Sequence, residues 1–275
     1  AAGSGEVVTE EPMSRHTTFR IGGPADYFVT PHTKEEIRQV IRLCKEEEIP
    51  FAVLGNGSNL LVGDKGFRGV IIQLFKNFSN IIIEEETIYA QSGALLVRLA
   101  NQAAKQGLTG LEFASGIPGT LGGAVVMNAG AYGGEMKDVI LWSDVLTEDG
   151  EFLRLSGEEL ELGYRTSVIQ KKHYFVLGAA LRLKKGDQNE IRSMMEELKE
   201  KRVSKQPLEY PSAGSTFKRP EGYFAGKLIM DTGLRGFSVG GAQVSEKHCG
   251  FVINKGGATA KDVQLLIKEV QRFCS

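Results

Sequence analysis

The stretch GIPGTLGGAVVMNAGAYGGE, residues 116–135, carries seven glycines and no lysine or arginine. Glycine lets a backbone approach another backbone or a flat ligand more closely than any side chain allows. Pro118 stiffens the turn, and Thr120 is placed to cap the short apolar segment that follows. A glycine-rich crossing of two packed segments is the alternative. The stretch therefore predicts a close backbone approach and leaves open what is approached.

A second small-residue turn, LGNGSN at residues 54–59, directly follows a predicted strand. Successive backbone N–H groups in such a turn can form a concave nest that binds phosphate without a cationic side chain. Asn56, Ser58 and Asn59 add side-chain donors. The turn matches neither GxxxxGK[ST] nor GxGxxG, and an ordinary tight turn is the alternative. With the first stretch, it could hold the two ends of a dinucleotide.

Composition narrows the classes of partner. The chain has 275 residues and a formal net charge of −1, so no overall positive field attracts nucleic acid or an anionic membrane. No apolar run approaches the roughly 20 residues needed to cross a bilayer. We therefore expect a cytoplasmic protein that binds neither membranes nor nucleic acid. The three cysteines and four histidines fit no disulfide framework or metal-ligand spacing, so we expect no metal.

Hydrophobic periodicity predicts an α+β protein in three regions, 6–75, 76–186 and 187–275. The first contains strands at 25–30, 51–55 and 70–74, with a helix capped by Thr33 and Glu36 that buries Ile37, Val40, Ile41 and Cys44. The second contains strands at 87–93 and 174–183, a helix at 95–106 ended by Gly107, and a hairpin at 140–155.

The third region begins where the sequence turns polar, at 184–190. A helix capped by Asp187 and Glu190 is expected to bury one apolar face: Ile191, Met194, Met195 and Leu198. Strands are predicted at 237–244 and 251–255, and helices at 225–231 and from Thr259 onward.

A third cluster of functional residue types is SAGSTFKRP, residues 212–220, with GYRTS (163–167) and KRVSKQP (201–207) as possible partners. A serine hydroxyl beside the fixed charges of Lys218 and Arg219 suits proton donation to an anionic substrate. The segment lacks the GxSxG frame of a serine hydrolase. A solvated surface turn is the alternative.

The motifs GNGSNLLV, GIPGTLGGAVVMNAGAYG, GYRTS, AGSTFKRP and GGAQVSEKHCGFVIN, in this order, resemble the UDP-N-acetylenolpyruvoylglucosamine reductases, the MurB family, in its shorter type II form. The resemblance runs from His16 to Val270. It implies two α/β subdomains of the vanillyl-alcohol oxidase type that hold FAD non-covalently, and a C-terminal α+β domain that binds substrate. It also implies FAD contacts, largely through backbone amides, in both glycine-rich loops: Gly55, Asn56, Gly57, Ser58 and Asn59, then Gly116, Ile117, Pro118, Gly119, Thr120, Gly122, Gly123 and Ala124.

The reaction implied by the resemblance has two stages. NADPH reduces FAD, and the reduced flavin then delivers hydride to the vinyl carbon of UDP-N-acetylglucosamine enolpyruvate. Arg165, in the GYRTS motif, would stabilise the negative charge that develops, and Ser215 would protonate the adjacent carbon, with help from Lys218. The resemblance further implies that Arg202, Arg219 and His248 lie near the diphosphate of the substrate. We expect the protein to act as a monomer.

Family members continue beyond the last predicted helix into a segment with the pattern LExEV, whose glutamate assists the serine. The sequence ends at Ser275, before such a segment. We therefore expect this chain to retain flavin binding more fully than catalytic turnover.

Three other functions predict different properties. An oxidase with histidine-linked flavin would carry a histidine in the first glycine loop, which reads GNGSN here. A silent binding module would bind ligand without consuming NADPH. An ATP-dependent kinase is disfavoured because the chain has no phosphate-loop lysine.

Overall fold

The structure, a computed structural model, describes residues 5–274. The helices in this part of the chain are α1 Lys34–Glu46, α2 Leu96–Lys105, α3 Leu121–Val126, α4 Val168–Lys171, α5 Gln188–Lys205, α6 Ala225–Asp231 and α7 Ala260–Cys274. The strands are β1 Glu6–Pro12, β2 Pro24–Thr30, β3 Phe51–Leu54, β4 Phe67–Gln73, β5 Ile81–Glu84, β6 Thr87–Gln91, β7 Leu108–Thr109, β8 Gly130–Ala131, β9 Gly134–Glu135, β10 Ile140–Leu146, β11 Phe152–Ser156, β12 Phe175–Arg182, β13 Lys184–Lys185, β14 Ser212–Ser215, β15 Ser238–Val239, β16 Ala242–Val244 and β17 Phe251–Asn254.

The described chain divides into two compact units that each use several segments of the sequence. Unit 1 contains residues 5–8, 27–56 and 69–200, and unit 2 contains residues 9–26, 57–68 and 201–274. The division into regions 6–75, 76–186 and 187–275 follows the order of the sequence and stays a prediction. Its last residue, Ser275, lies outside the described residues.

The first sheet has the strand order β1-β2-β4-β3, and β3 runs parallel to β4 with Phe51 opposite Val70. Helix α1 begins as predicted, because the Thr33 hydroxyl accepts the Glu36 N–H at 3.1 Å. Ile37, Ile41 and Cys44 are buried on its inner face, and Val40 packs against the same core. The periodic pattern of the sequence therefore placed this helix correctly.

The second sheet of unit 1 is antiparallel and has the order β11-β10-β12-β6-β5. Its core is formed with α2 and α3, whose buried residues include Leu96, Leu99 and Leu121. The predicted hairpin at 140–155 is present as β10 and β11. Gly107 follows α2 with a φ of +66°, a left-handed conformation that ends the helix at the predicted place.

Unit 2 contains an antiparallel sheet in the order β14-β17-β16-β15, packed with α6 and α7 around a core that includes Val252, Val263 and Leu266. The segment 237–244, predicted as one strand, instead forms the hairpin β15–β16. The chain reverses at Gly240, which has a φ of +53°, and Gly241. Two adjacent glycines therefore marked a turn inside the predicted strand.

Helix α5 begins where the sequence predicted, with the Asp187 carboxylate accepting the N–H groups of Asn189 and Glu190. Its buried face is narrower than predicted, because Met194 is 47% exposed. Ile191 is buried and Met195 and Leu198 are half-buried, so the packed stripe follows only the i, i+4, i+7 positions. The prediction that Met194 points inward is wrong.

Within residues 5–274, no helix is long and apolar enough to cross a bilayer. The same residues contain no group of three or more His, Cys, Asp or Glu side chains that could hold a metal ion. The three cysteines are free thiols.

The segment 57–68 of unit 2 is joined to the start of α7 by one carboxylate. Asp64 accepts the N–H of Ala260 at 2.7 Å and that of Lys261 at 3.0 Å. Thr259 and Asp262 form reciprocal bonds at the same helix start. Because the first amides of a helix have no partner within it, Asp64 satisfies two donors that would otherwise need water.

We expect Asp64→Ala to lower the free energy of unfolding by about 1 kcal/mol, the typical cost of losing a helix cap. Urea denaturation of the variant and the parent measures this difference. Asp231→Ala is the control, since Asp231 makes only an exposed ion pair with Lys227 and such pairs contribute about 0.3–0.5 kcal/mol. Equal losses in the two variants would contradict the capping role.

Candidate functional site

Two of the predicted ligand-binding turns meet in unit 1. The Asn56 side chain donates from Nδ2 to the Pro118 carbonyl at 2.7 Å. A Cβ added at Gly55 would lie 2.1 Å from Thr120 Oγ1, which is closer than atoms can pack. Asn56 and Pro118, 62 positions apart in sequence, are therefore joined by a hydrogen bond, and Thr120 comes close to Gly55 because Gly55 has no side chain.

The first turn continues into unit 2 at Gly57. Its φ is +61°, and an added Cβ would lie 2.0 Å from the His16 carbonyl oxygen. The Thr18 N–H donates to the Gly57 carbonyl at 3.2 Å. Ser58 is half-buried and Asn59 is exposed. Only glycine suits position 57, because the backbone is left-handed and because a side chain would clash with the His16 carbonyl.

The glycine-rich stretch packs against residues 92–96 of the same unit. The Gly122 N–H donates to the Ser92 carbonyl, and the Leu121 N–H to the Ala94 carbonyl, both at 2.8 Å. A Cβ at Gly122 would lie 2.8 Å from the Ser92 Cβ. Gly122 is therefore required by packing within the protein, which is the alternative that the sequence left open for this stretch.

Thr120 occupies the N-cap position of α3, but its side chain makes no capping hydrogen bond. The prediction that it caps this segment is wrong. Its Oγ1 lies instead at the position that a Gly55 side chain would fill. The contact between the turns, rather than the helix end, accounts for the placement of this side chain.

Several backbone donors in this stretch have no acceptor within residues 5–274. The N–H groups of Gly119, Thr120 and Gly123 are among them. Gly123 is exposed, and a Cβ there would have its nearest neighbour at 3.9 Å. Ile117 is half-buried, Pro118 exposed and Ala124 buried. Neutral main-chain amides without an internal acceptor are the chemistry that binds phosphate groups through backbone.

Arg165 projects from a tight turn in unit 1. Gly163 and Thr166 exchange two backbone hydrogen bonds around it, and Arg165 has a φ of +56°. Its guanidinium donates to the carbonyl oxygens of Asn128 and Gly130, each at 3.3 Å. These contacts hold the half-buried arginine against the second half of the glycine-rich stretch.

No sequence motif singled out Asn128, whose main-chain carbonyl accepts a hydrogen bond from the Arg165 guanidinium. Asn128 is 1% exposed and has a φ of +41°. The available signal was an asparagine within a glycine-rich run, since asparagine tolerates left-handed backbone better than most residues. The sequence could not show that its partners lie 35 and 37 positions away.

Ser215 ends β14 in unit 2 and is exposed. It pairs with Phe251 across an irregularity in the strand pairing, next to Gly214, which has a φ of +79°. Its hydroxyl donates to the Gly250 carbonyl at a long 3.4 Å. An irregular strand end thus presents the serine hydroxyl to solvent with only a weak internal partner.

His248 lies beside the same glycine. Its Nδ1 accepts the Gly250 N–H at 3.1 Å, so the neutral ring carries its proton on Nε2. A Cβ at Gly250 would lie 3.0 Å from the His248 ring and 3.3 Å from Ser215 Oγ. Burial lowers the pKa of His248 below its ordinary value. Gly250 therefore lets a neutral imidazole and the serine hydroxyl approach the same segment of backbone.

The remaining predicted substrate residues also lie in unit 2, on different elements. Arg202 is in the last turn of α5, and Lys218 and Arg219 are exposed after β14. The Arg219 guanidinium stacks on the Phe224 ring at 4.5 Å. Ser215 and His248 both contact Gly250.

Unit 2 also contains a polar cavity of about 540 Å³ that includes none of the sequence-predicted residues. It is lined by Glu209, Tyr210, Arg235, Gln243, Ser245, Glu246, Lys247, Ile253 and Lys255.

Two family models match the chain. A model described as an FAD binding domain matches residues 25–156, and the C-terminal domain model of UDP-N-acetylenolpyruvoylglucosamine reductase matches residues 206–273. The first range includes the contact between Gly55 and Thr120, and the second includes Ser215 and His248.

Relatives with curated names and solved structures agree with these matches. The UDP-N-acetylenolpyruvoylglucosamine reductase of Agathobacter rectalis is 58% identical over 96% of this chain and 88% of its own length. The crystal structure of the corresponding reductase (MurB) from Thermus caldophilus has a TM-score of 0.86 and 40% identity, over 98% of this chain and 94% of that one. Physcomitrella patens BBE-like 1 has a TM-score of 0.53 and 14% identity over 66% of this chain and 43% of its own, which shows a shared fold alone.

We expect the imidazole of His248 to titrate below the ordinary histidine pKa of about 6.5. Because the unfolded chain then binds a proton more readily, the free energy of unfolding falls as pH drops from about 6.5 toward the folded-state pKa. Proton NMR of the ring measures the pKa, and His248→Gln identifies the resonance. A pKa at or above the ordinary value would contradict the burial of this ring.

Proposed function

Because the chain belongs to the UDP-N-acetylenolpyruvoylglucosamine reductase family, we propose how its own residues carry out the reaction of that family. The enzyme is a flavin-dependent oxidoreductase that uses NADPH to reduce UDP-N-acetylglucosamine enolpyruvate to UDP-N-acetylmuramate, in peptidoglycan precursor synthesis. Its fold consists of FAD-binding subdomains of the vanillyl-alcohol oxidase type and a C-terminal α+β domain. Bound FAD would supply hydride transfer from NADPH to the terminal vinyl carbon of the substrate.

The two turns that meet in unit 1 hold the pyrophosphate and ring of FAD through main-chain donors. The bond from Asn56 to the Pro118 carbonyl is the observation that carries this assignment, because it brings the predicted loops together. The N–H groups of Gly119, Thr120 and Gly123 have no acceptor within residues 5–274, so they are available to phosphate oxygens. Gly55, Asn56 and the residues Gly57, Ser58, Asn59, Gly116, Ile117, Pro118, Gly122 and Ala124 complete the assigned set.

Arg165 stabilises the negative charge that develops on the enolpyruvyl carboxylate and the carbon beside it. Its guanidinium contacts two neutral carbonyl groups and the Tyr164 ring, so its positive charge is available to an anion. A planar guanidinium also matches the two oxygens of a carboxylate. Donors placed where charge develops are worth about 3–4 kcal/mol of barrier in other enzymes.

Ser215 supplies the proton that completes the addition. The hydride forms a bond to the terminal carbon, and the proton of the Ser215 hydroxyl passes to the adjacent carbon, leaving an alkoxide that regains a proton from water. A free serine is a weak acid, so the step requires positive charge nearby. Lys218, three residues further along the loop, is assigned that role.

Arg202, Arg219 and His248 are assigned to the diphosphate of the substrate. The two arginines supply planar cationic donors, and the neutral His248 ring supplies an Nε2–H donor. The stacking of Arg219 on Phe224 limits the freedom of that guanidinium before substrate arrives.

The enzyme is proposed to act as a monomer in the cytoplasm, with a small-molecule substrate and without membrane or nucleic-acid partners. Its net charge of −1 supports the last point, since counterion release drives binding to nucleic acid. The regions 6–75, 76–186 and 187–275 are proposed as two FAD-binding subdomains and a substrate-binding domain.

We expect Gly123→Val to fold normally and to retain FAD at least tenfold less tightly. The protein itself leaves this position open, with the nearest atom 3.9 Å from an added Cβ, so the new side chain would occupy space assigned to the cofactor. Absorbance near 450 nm of the purified protein, followed by flavin titration, measures the loss. Asn101→Val places the same side chain on an exposed position of α2 and should bind FAD normally. Unchanged affinity in Gly123→Val would overturn the assignment of this loop.

We expect Ser215→Ala to keep the NADPH half-reaction and to slow the substrate half-reaction by 10²–10⁴-fold, the range of general acid catalysis. Anaerobic stopped-flow absorbance separates the two stages, because the flavin bleaches with NADPH and recolours with the enolpyruvyl sugar nucleotide. Ser212→Ala, at the other end of β14, is the control and should recolour at the parent rate. Normal recolouring in Ser215→Ala would remove the serine from the proton transfer.

A further inference from the structure

Asn128 is one of few polar residues fully inside unit 1, and each of its side-chain groups has a partner. Nδ2 donates to Glu135 Oε2 at 2.8 Å and to the Gly163 carbonyl at 3.2 Å. Oδ1 accepts the Lys137 N–H at 3.0 Å. A buried amide with every donor and acceptor used specifies one arrangement of the segments around it.

Those segments are the ones that hold Arg165. Gly163 begins the turn that carries the arginine, and Gly130 pairs with Glu135 in the β8–β9 hairpin. The Arg165 guanidinium then donates to the carbonyl oxygens of Asn128 and Gly130. The turn is thus fixed at its base by the Asn128 side chain, while the tip of the arginine is fixed by the Asn128 main chain.

We propose that Asn128 is a positioning residue for Arg165, and that it sets the orientation in which the guanidinium meets the carboxylate of the substrate. This inference rests on the proposed role of Arg165. Two of the five N–H donors of Arg165 are used by the carbonyl groups of residues 128 and 130, which leaves three for a carboxylate. Displacing a catalytic group by about 1 Å can cost 10²-fold in rate.

The residue type follows from the contacts. An aspartate of the same size would lose both Nδ2 donors and place a second carboxylate against that of Glu135. A leucine would remove one hydrogen-bond partner from the half-buried Glu135 and Gly163 and from the Lys137 N–H, at a cost in folding. A glycine accepts the φ of +41° and keeps the carbonyl, and it removes only the side-chain bonds.

Asn128→Gly and Asn128→Asp therefore test the proposal from two directions. We expect each to slow recolouring of the reduced flavin by the enolpyruvyl sugar nucleotide at least tenfold. Bleaching by NADPH and the FAD content should stay within twofold of the parent. Glu85→Gly is the matched control, since Glu85 has a φ of +52° on the exposed turn between β5 and β6, and its substrate half-reaction should be unchanged.

A double-mutant cycle with Arg165→Ala shows whether Asn128 acts through the arginine. We expect Arg165→Ala alone to slow recolouring by 10²–10³-fold, and Asn128→Gly to add less than a further twofold in that background. Independent, multiplying effects would overturn the positioning role. An Asn128 variant that loses FAD or unfolds without cooperativity would also overturn the positioning role, because Asn128 would then be required for folding. Normal recolouring in Arg165→Ala would instead refute the proposed function of the arginine itself.

Discussion

The structure of unit 1 depends on one close approach between two turns that are far apart in sequence. Gly55 leaves space that the Thr120 side chain fills, and Asn56 donates to the carbonyl of Pro118. Any larger residue at position 55 would separate the turns and turn their amides away from a common ligand. The glycine at position 55 is therefore a steric requirement for the approach of the two turns, and that approach places their amides near a common ligand.

In the proposed function, two kinds of negative charge are bound by different chemistry. Phosphate groups of a bound cofactor suit neutral main-chain amides, which need no counter-charge and hold a fixed geometry. A carboxylate that gains charge during the reaction requires a full positive charge whose field changes the barrier. Two carbonyl groups and the Tyr164 ring contact Arg165, and no carboxylate within residues 5–274 forms an ion pair with it, so no internal anion neutralises its charge.

The sequence predicted most elements of the fold because their signals are local. The cap at Thr33 and the apolar period of α1 are each contained within a few residues. The predictions that were wrong concern side chains whose placement depends on residues elsewhere in the chain. Thr120 fits a helix cap by sequence, but its side chain lies against Gly55, and Met194 fits an apolar face whose width depends on what packs there. Asn128 was missed for the same reason, since its function lies in partners more than 30 positions away.

Buried polar contacts give Arg165 a precision that apolar packing could not. An apolar core accepts small shifts of a side chain at little cost, whereas a hydrogen bond weakens steeply with angle and distance. Asn128 transmits this directional constraint to the arginine through a side chain and a carbonyl of the same residue. Because Arg165 and Asn128 both adopt left-handed backbone, the site also carries local strain that surrounding bonds must offset. The polar network thus has two functions. It orients the Arg165 guanidinium, and it stabilises the left-handed backbone of Arg165 and Asn128.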